Sequence, residues 1–351
     1  MLASMPARVA ILTPFASPSV RGNAVTVTRV ALGLRERGVE LRVWDLATTA
    51  AATVEADVEA YRPALIHAFH ARRVGPLAAR LAGRIHVPLV VTLTGTDANH
   101  DLVDPERATG VRSVLDGAAR VTAFHETIVT RVAAAMPALR ERLIVVPQAV
   151  RLPAGEAFDL GARWPLPSSR VLFVFPAGVR AVKRPTFPLA PLGRAVAVVP
   201  EIRLAYAGPL LDPDVGDSLL RALAMRPWAR HIGAVPHPAM ASLLSQADVV
   251  LNCSISEGGM ANSVLEALSL GRAVLASDIE GNRSVVDDGS TGFLFRDEAE
   301  LERRAAELAR DPVLRERLGR AGRELVARRY PPEREIEGYR AVYGSLVPVL
   351  A

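Results

Sequence analysis

Lysine is almost absent. Lys183 stands alone among 42 basic residues, and the others are arginine. Cysteine is as scarce, with Cys253 the single example. One cysteine excludes a disulfide framework and fits a reducing compartment, so a cytoplasmic location is expected. Aromatic residues make up 5% and do not interleave with basic clusters, which argues against a nucleic-acid partner. No apolar run approaches the ~18 residues needed to span a bilayer. The apolar residues 9–12 run straight into a strand–loop pattern, so they read as a first core strand rather than a signal peptide.

Half of the 351 residues are hydrophobic and 23% are charged. That is material for two ordinary cores and excludes a disordered chain. The net charge of +5 suits acidic ligands, and leaves peripheral contact with an anionic membrane open.

The densest pattern lies in residues 254–295. It is preceded by Val249-Val250-Leu251, a short apolar run of the buried-strand type. Gly258-Gly259 lets the backbone approach a ligand with no Cβ in the way. Asn262 or Ser263 can cap a helix whose apolar face is Val264, Leu265 and Leu268. The first N–H groups of such a helix suit a phosphate or another anion. Taken singly, Ser263-x-x-Glu266 is also a capping box, and Glu257 is also a solvated loop carboxylate. Read together, the residues favour a ligand site for both carboxylates.

The rest of the chain alternates apolar runs with helical patterns. Residues 9–12 and 41–44 flank a helix over about 24–37, ended by Gly38. Further runs at 65–70, 88–94, 120–126 and 143–148 complete a first half of the doubly wound kind, where ligands bind beyond the strand carboxyl ends. His67 and His70 fall on opposite strand faces, so they are not a metal pair. Asp97, delivered at a strand end, either accepts a hydrogen bond from a ligand hydroxyl or caps its own turn. His125 either faces a cleft or is a satisfied strand-end histidine. The Pro-rich residues 151–169 read as a linker. A second half restarts with Val171-Leu172-Phe173-Val174-Phe175, followed by Arg180 and Lys183. A lone lysine in an arginine-rich chain suits a compact point charge. Near the end, Ile336, Tyr339, Val342, Tyr343 and Leu346 recur at helical spacing.

These motifs resemble the donor-binding signature of family-4 retaining glycosyltransferases of the GT-B fold. Members carry a Glu–Gly loop, a second Glu in the next helix, and a small-Gly-x-Pro/Ala-Val-Leu strand. Here these are Glu257-Gly258-Gly259, Glu266, and Gly271-Arg272-Ala273-Val274-Leu275. Three further motifs bring the chain closest to the glycosyltransferase-1-domain-containing proteins. They are Gly95-Thr96-Asp97, Gly178-Val179-Arg180-Ala181-Val182-Lys183 and Gly208-Pro209-Leu210-Leu211-Asp212-Pro213. The resemblance covers residues 9–345 and is strongest over 171–295.

It implies an α/β fold of two doubly wound Rossmann-like domains facing a cleft. Residues 1–165 would bind the acceptor, residues 166–328 the nucleotide-sugar donor, and residues 329–351 would form a helix crossing back onto the first domain. The implied activity moves a hexose, with retention, from a nucleotide-diphosphate sugar (a UDP-sugar foremost) to an acceptor, with no metal and no cofactor. Arg180 and Lys183 would stabilise the diphosphate as it leaves. Glu257, Gly258, Gly259, Met260, Ala261 and Asn262 would hold the sugar and phosphate, and Glu266 the ribose. The backbone near Val235 would hold the base, with Gly208 on the same side. Gly22 and Asn23 would lie against acceptor and donor phosphates, and His70, Asp97 and His125 would line the acceptor side. Eight residues separate Glu257 from Glu266 where members have seven, because the glycine is doubled. Thr94 stands where members often have His, Gly178 where many have Arg, and Ser284 where many have Glu.

Three other activities fit the same residues. His70-Ala71-Arg72-Arg73 with Leu93-Thr94-Gly95-Thr96-Asp97 also resembles the selenosugar synthase branch, whose acceptor is a selenium nucleophile. A GT-B epimerase would act on the donor alone. A catalytically idle nucleotide-sugar binding protein would do neither.

Overall fold

The computed structural model describes residues 7–19, 21–153 and 155–350. The chain divides into two units, residues 1–149 with 332–351 and residues 150–331. Each is built on its own six-stranded parallel sheet. Among the described residues no helix is long and apolar enough to cross a membrane.

The first sheet contains β1 (Arg8–Thr13), β2 (Glu40–Asp45), β3 (Leu65–Phe69), β4 (Leu89–Leu93), β5 (Arg120–Ala123) and β6 (Leu143–Val145), in the order β2-β1-β3-β4-β5-β6. Parallel strands covered by helices on both faces must be apolar throughout. Every residue of β3 and β4 is accordingly buried. The order reverses between β1 and β3, so the loops after these two strands diverge and leave a crevice at their carboxyl ends. The helix Gly22–Glu36 joins β1 to β2 and is stopped at Gly38, whose φ of +81° suits a residue without Cβ.

The helix Pro332–Gly344 returns to this first unit and packs on the helix Gly22–Glu36, with Ile336 filling the space over Gly33. It is also tied by buried polar groups. Glu335 accepts from Arg29 Nε at 2.7 Å and from Nη2 at 2.9 Å. Tyr343 Oη lies 2.7 Å from His67 Nδ1, and Thr92 Oγ1 lies 2.7 Å from His67 Nε2. Burial pushes the His67 imidazole down to about 3, so it is neutral and uses one nitrogen as donor and the other as acceptor.

The second sheet contains β7 (Val171–Pro176), β8 (Ile202–Ala207), β9 (Ala229–Gly233), β10 (Val249–Asn252), β11 (Ala273–Ser277) and β12 (Phe293–Phe295), in the order β12-β11-β10-β7-β8-β9. Its order reverses between β7 and β10. The lone Cys253, just past β10, is buried, and burial pushes its thiol up.

Residues 151–169 are not a free linker, and the first unit ends at Ala149 rather than at residue 165. Leu160 and Trp164 are buried in the second core. The backbone N–H of Glu156 donates to the Pro238 carbonyl at 3.0 Å, and that of Phe158 to Ser242 Oγ at 2.9 Å. Proline blocks regular structure here without preventing packing. The later division falls after Pro331, where residue 328 was expected.

Candidate functional site

In the second unit the loops after β7 and β10 meet at the reversal of strand order. The loop after β7 carries Arg180, which is exposed, and Lys183, which is half-buried in a single 3-10 turn. The loop after β10 carries Glu257. Lys183 Nζ donates to Glu257 Oε1, with side-chain exposures of only 13% and 11%. The same oxygen accepts from Ser254 Oγ at 2.6 Å and Asn252 Nδ2 at 3.2 Å. Burial works to raise the Glu257 carboxyl, but Lys183 and these hydrogen bonds outweigh it and hold the group below the usual carboxylate range. Asn252 is positioned in turn by Asn282 Nδ2 at 3.3 Å, and Ser277 Oγ donates to the Ser254 carbonyl at 2.6 Å. The pair is thus anchored by buried polar side chains from β10, β11 and the turn beyond.

Gly281 makes that arrangement possible. A Cβ there would overlap the Gly259 carbonyl oxygen and lie 2.6 Å from Glu257 Cβ. Gly208 plays the same part at the end of β8, where a Cβ would overlap the Ala177 carbonyl. The place of Gly178 is taken up by Leu211, which lies over it.

The helix Asn262–Ser269 begins one residue earlier than its polar residues suggest. Its N-cap is Ala261, no side chain caps it, and neither Asn262 nor Ser263 serves. The reason lies beneath the loop, where the Met260 and Ala261 side chains are buried in the second core and pin the chain. Only the backbone of these two residues is left to meet a ligand. Val235 is likewise a core side chain. Glu266 is not a capping-box residue. Its Oε1 lies 2.9 Å from His237 Nε2, from the start of the helix His237–Ser245, and its Oε2 has no partner among the described residues. His237 is a site residue that the sequence does not single out. It is one of seven histidines and stands 29 positions from its partner.

In the first unit, Asp97 is fully buried and saturated. Oδ1 accepts from the N–H groups of Thr94 (2.9 Å), Gly95 (2.8 Å) and Ala98 (3.1 Å), and Oδ2 from that of Ala71 (2.9 Å). An ionised carboxylate has about four acceptor positions, so Asp97 cannot also take a ligand hydroxyl. It clamps the loop after β3 to the loop after β4. His70 sits on that clamp with φ +102°, a backbone region that side chains avoid. Its Nδ1 accepts from the N–H groups of Arg72 (3.2 Å) and Arg73 (3.4 Å), and Nε2 bonds Thr96 Oγ1 at 3.0 Å. Nδ1 is therefore the bare nitrogen and Nε2 the donor. Burial lowers the His70 pKa against the opposing pull of Asp97, which keeps that neutral form. His125 caps the helix Glu126–Ala135 through Nδ1, which accepts from the Thr127 N–H at 3.2 Å. Gly22 opens the helix after β1. Asn23 Nδ2 donates to Thr13 Oγ1 at 3.3 Å, while Asn23 Oδ1 is buried with no partner among the described residues. No group of three His, Cys, Asp or Glu side chains could hold a metal ion among the described residues.

Residues 172–311 match the family glycosyl transferases group 1, and residues 1–149 match the glycosyl transferase 4-like domain. The chain is 26% identical over 333 residues to glycosyltransferase 1 domain-containing protein 1 of Xenopus tropicalis, covering 93% of this chain and 94% of that one. It is 33% identical over 226 residues to phosphatidyl-myo-inositol mannosyltransferase of Mycobacterium tuberculosis, covering 58% and 57%. Among solved structures, Anabaena HepE in complex with UDP-glucose superposes with a TM-score of 0.79 at 16% identity, covering 97% of this chain and all of that one.

Proposed function

The chain belongs to the group 1 glycosyl transferases and has the GT-B fold, and on that premise we propose that it moves a hexose from a UDP-sugar to an acceptor hydroxyl with retention. The observation that carries this reading is the Lys183–Glu257 pair at the strand reversal of the second sheet. A nucleoside diphosphate gains charge as its bond to the sugar breaks, and a fixed cation in a poorly hydrated place stabilises that charge. Lys183 takes this role with Arg180. Glu266 uses its unbonded Oε2 for a ribose hydroxyl, while His237 holds Oε1.

The acceptor oxygen attacks the anomeric carbon from the face that the diphosphate leaves. The bond to the phosphate oxygen breaks with its electron pair on that oxygen, which takes the acceptor proton. Since Lys183 and Arg180 supply the positive charge, we propose no metal requirement, and a cytoplasmic reaction in keeping with a single buried cysteine.

Thermal shift with UDP, GDP, ADP and their sugars tests the donor. UDP is expected to stabilise the protein by about 2.7 kcal/mol at a hundredfold excess over Kd, and turnover of a UDP-sugar should survive a chelator. A flat response to every nucleotide, or loss of turnover restored by a divalent ion, would refute the respective part. Gly281→Ala probes the loop itself. Its methyl group displaces Glu257 and Gly259, so UDP-sugar affinity should fall about tenfold, equivalent to ~1.4 kcal/mol. Unchanged affinity in the same assay would show that the loop does not meet the donor.

A further inference from the structure

The Glu266 carboxylate is held by a group that leaves one of its oxygens open. Glu266 lies one turn into the helix Asn262–Ser269. Helical side chains lean toward the start of their helix, so the carboxylate is directed back to the carboxyl ends of the strands, where a sheet of this kind takes its ligand. Its side chain is long and flexible, yet only 9% exposed. The hydrogen bond that fixes it comes from His237, the first residue of the helix His237–Ser245 after β9. β9 is the edge strand of its sheet, with β8 and β7 between it and β10. The bond therefore ties the outermost loop to the helix after β10.

The choice of histidine decides what is left for a ligand. An ionised carboxylate only accepts, so Nε2 carries the proton and gives a single N–H to Oε1. Arginine, the basic residue this chain uses almost everywhere, presents a fork of N–H donors that can pair with both oxygens of a carboxylate. Arg29 does so with Glu335, and both oxygens are taken. Beside histidine, Oε2 keeps no partner among the described residues, and the bond on Oε1 sets its direction. The ring is itself well placed. Pro236 and Pro238 flank it and restrict the backbone, and the Pro238 carbonyl accepts from the Glu156 N–H at 3.0 Å. An oriented, poorly hydrated acceptor gains from a ligand hydroxyl, and a ligand without that hydroxyl leaves it unpaired.

We propose that His237 is a positioning residue that makes the donor site selective for a nucleotide with ribose hydroxyls, by turning Oε2 of Glu266 toward them. The inference rests on the reading of Glu266 as the ribose contact.

The test is calorimetric titration of the full chain with UDP and with 2′,3′-dideoxy-UDP, which lacks both ribose hydroxyls. Selectivity is the ratio of the two Kd values. Wild type, His237→Ala, His237→Gln and Glu266→Ala are compared. Wild type should bind UDP at least about tenfold more tightly than the dideoxy nucleotide. In His237→Ala, UDP affinity should fall about tenfold while dideoxy-UDP affinity stays within about twofold of wild type, because that ligand makes no use of Oε2. Glutamine keeps an N–H donor of similar reach, so His237→Gln should restore most of the ratio. A wild-type ratio in His237→Ala, an equal loss for both nucleotides, or a glutamine variant as unselective as alanine overturns the proposal. Glu266→Ala separates the two levels of the argument. If it abolishes the ratio while His237→Ala keeps it, the positioning role alone fails. If wild type shows no selectivity, or Glu266→Ala retains it, the ribose reading of Glu266 fails and the positioning role falls with it.

Discussion

Lys183→Ala is expected to lower kcat for sugar transfer by about 10²–10³-fold. The ammonium is both poorly hydrated and held in place, at 13% side-chain exposure. A charge of that kind interacts more strongly with a developing anion than an exposed one does. Its loss also changes Glu257. In the wild type the carboxyl lies below its usual range because Lys183, Ser254 and Asn252 outweigh burial. A depressed carboxyl contributes stability that is present above its unfolded pKa and is lost as pH falls through its folded pKa. Without the ammonium, the largest influence opposing burial is gone, and the pKa rises. The acid limb of the pH–kcat profile should therefore move to higher pH in the variant. Lys183→Arg keeps the charge but spreads it over a planar fork, so partial activity is expected with a smaller shift of the acid limb. The measurement is kcat against pH for the three proteins, with melting curves to establish that each is folded. A kcat within threefold of wild type, or an acid limb that does not move, would contradict the assigned role.

Both members of this pair can be picked out in the sequence, Lys183 by its rarity and Glu257 by its glycines. Their contact cannot, because it spans 74 positions and depends on which strands become neighbours. β7 and β10 are adjacent in the sheet although two strands intervene in the chain. The strands themselves are easily read, since parallel strands buried on both faces must be apolar runs. Helix ends are read less well. Asn262 and Ser263 have the right chemistry for a cap, yet the start is set by where Met260 and Ala261 find their places in the core. Asp97 illustrates the same limit. A carboxylate after a strand fits a turn clamp and a ligand contact equally, and only the positions of four amides decide for the clamp. Proline-rich residues 151–169 mislead for a related reason, because proline reports on backbone hydrogen bonding while Leu160 and Trp164 decide the packing.

Glu335→Ala should destabilise the first unit by about 3–5 kcal/mol, the usual cost of removing one member of a buried ion pair. Glu335 has no side-chain exposure and Arg29 has 5%. The variant leaves a guanidinium in that place without its carboxylate, and the desolvation already spent on it is no longer offset by the paired hydrogen bonds. For a unit of this size the loss corresponds to a fall in Tm of roughly 6–20 °C. The double variant Arg29→Met/Glu335→Leu separates charge from packing. It removes both ions and keeps apolar volume, so it should recover most of the loss. A recovery would mean that the pair specifies how the terminal helix docks more than it stabilises the docking. Calorimetry with UDP present provides the internal control. The second unit contains neither residue, so UDP should still raise the melting of that unit in the single variant. A loss below about 1 kcal/mol in Glu335→Ala would place the pair with ordinary surface ion pairs. The docking of the helix Pro332–Gly344 would then rest on Ile336 and on the His67–Tyr343 hydrogen bond.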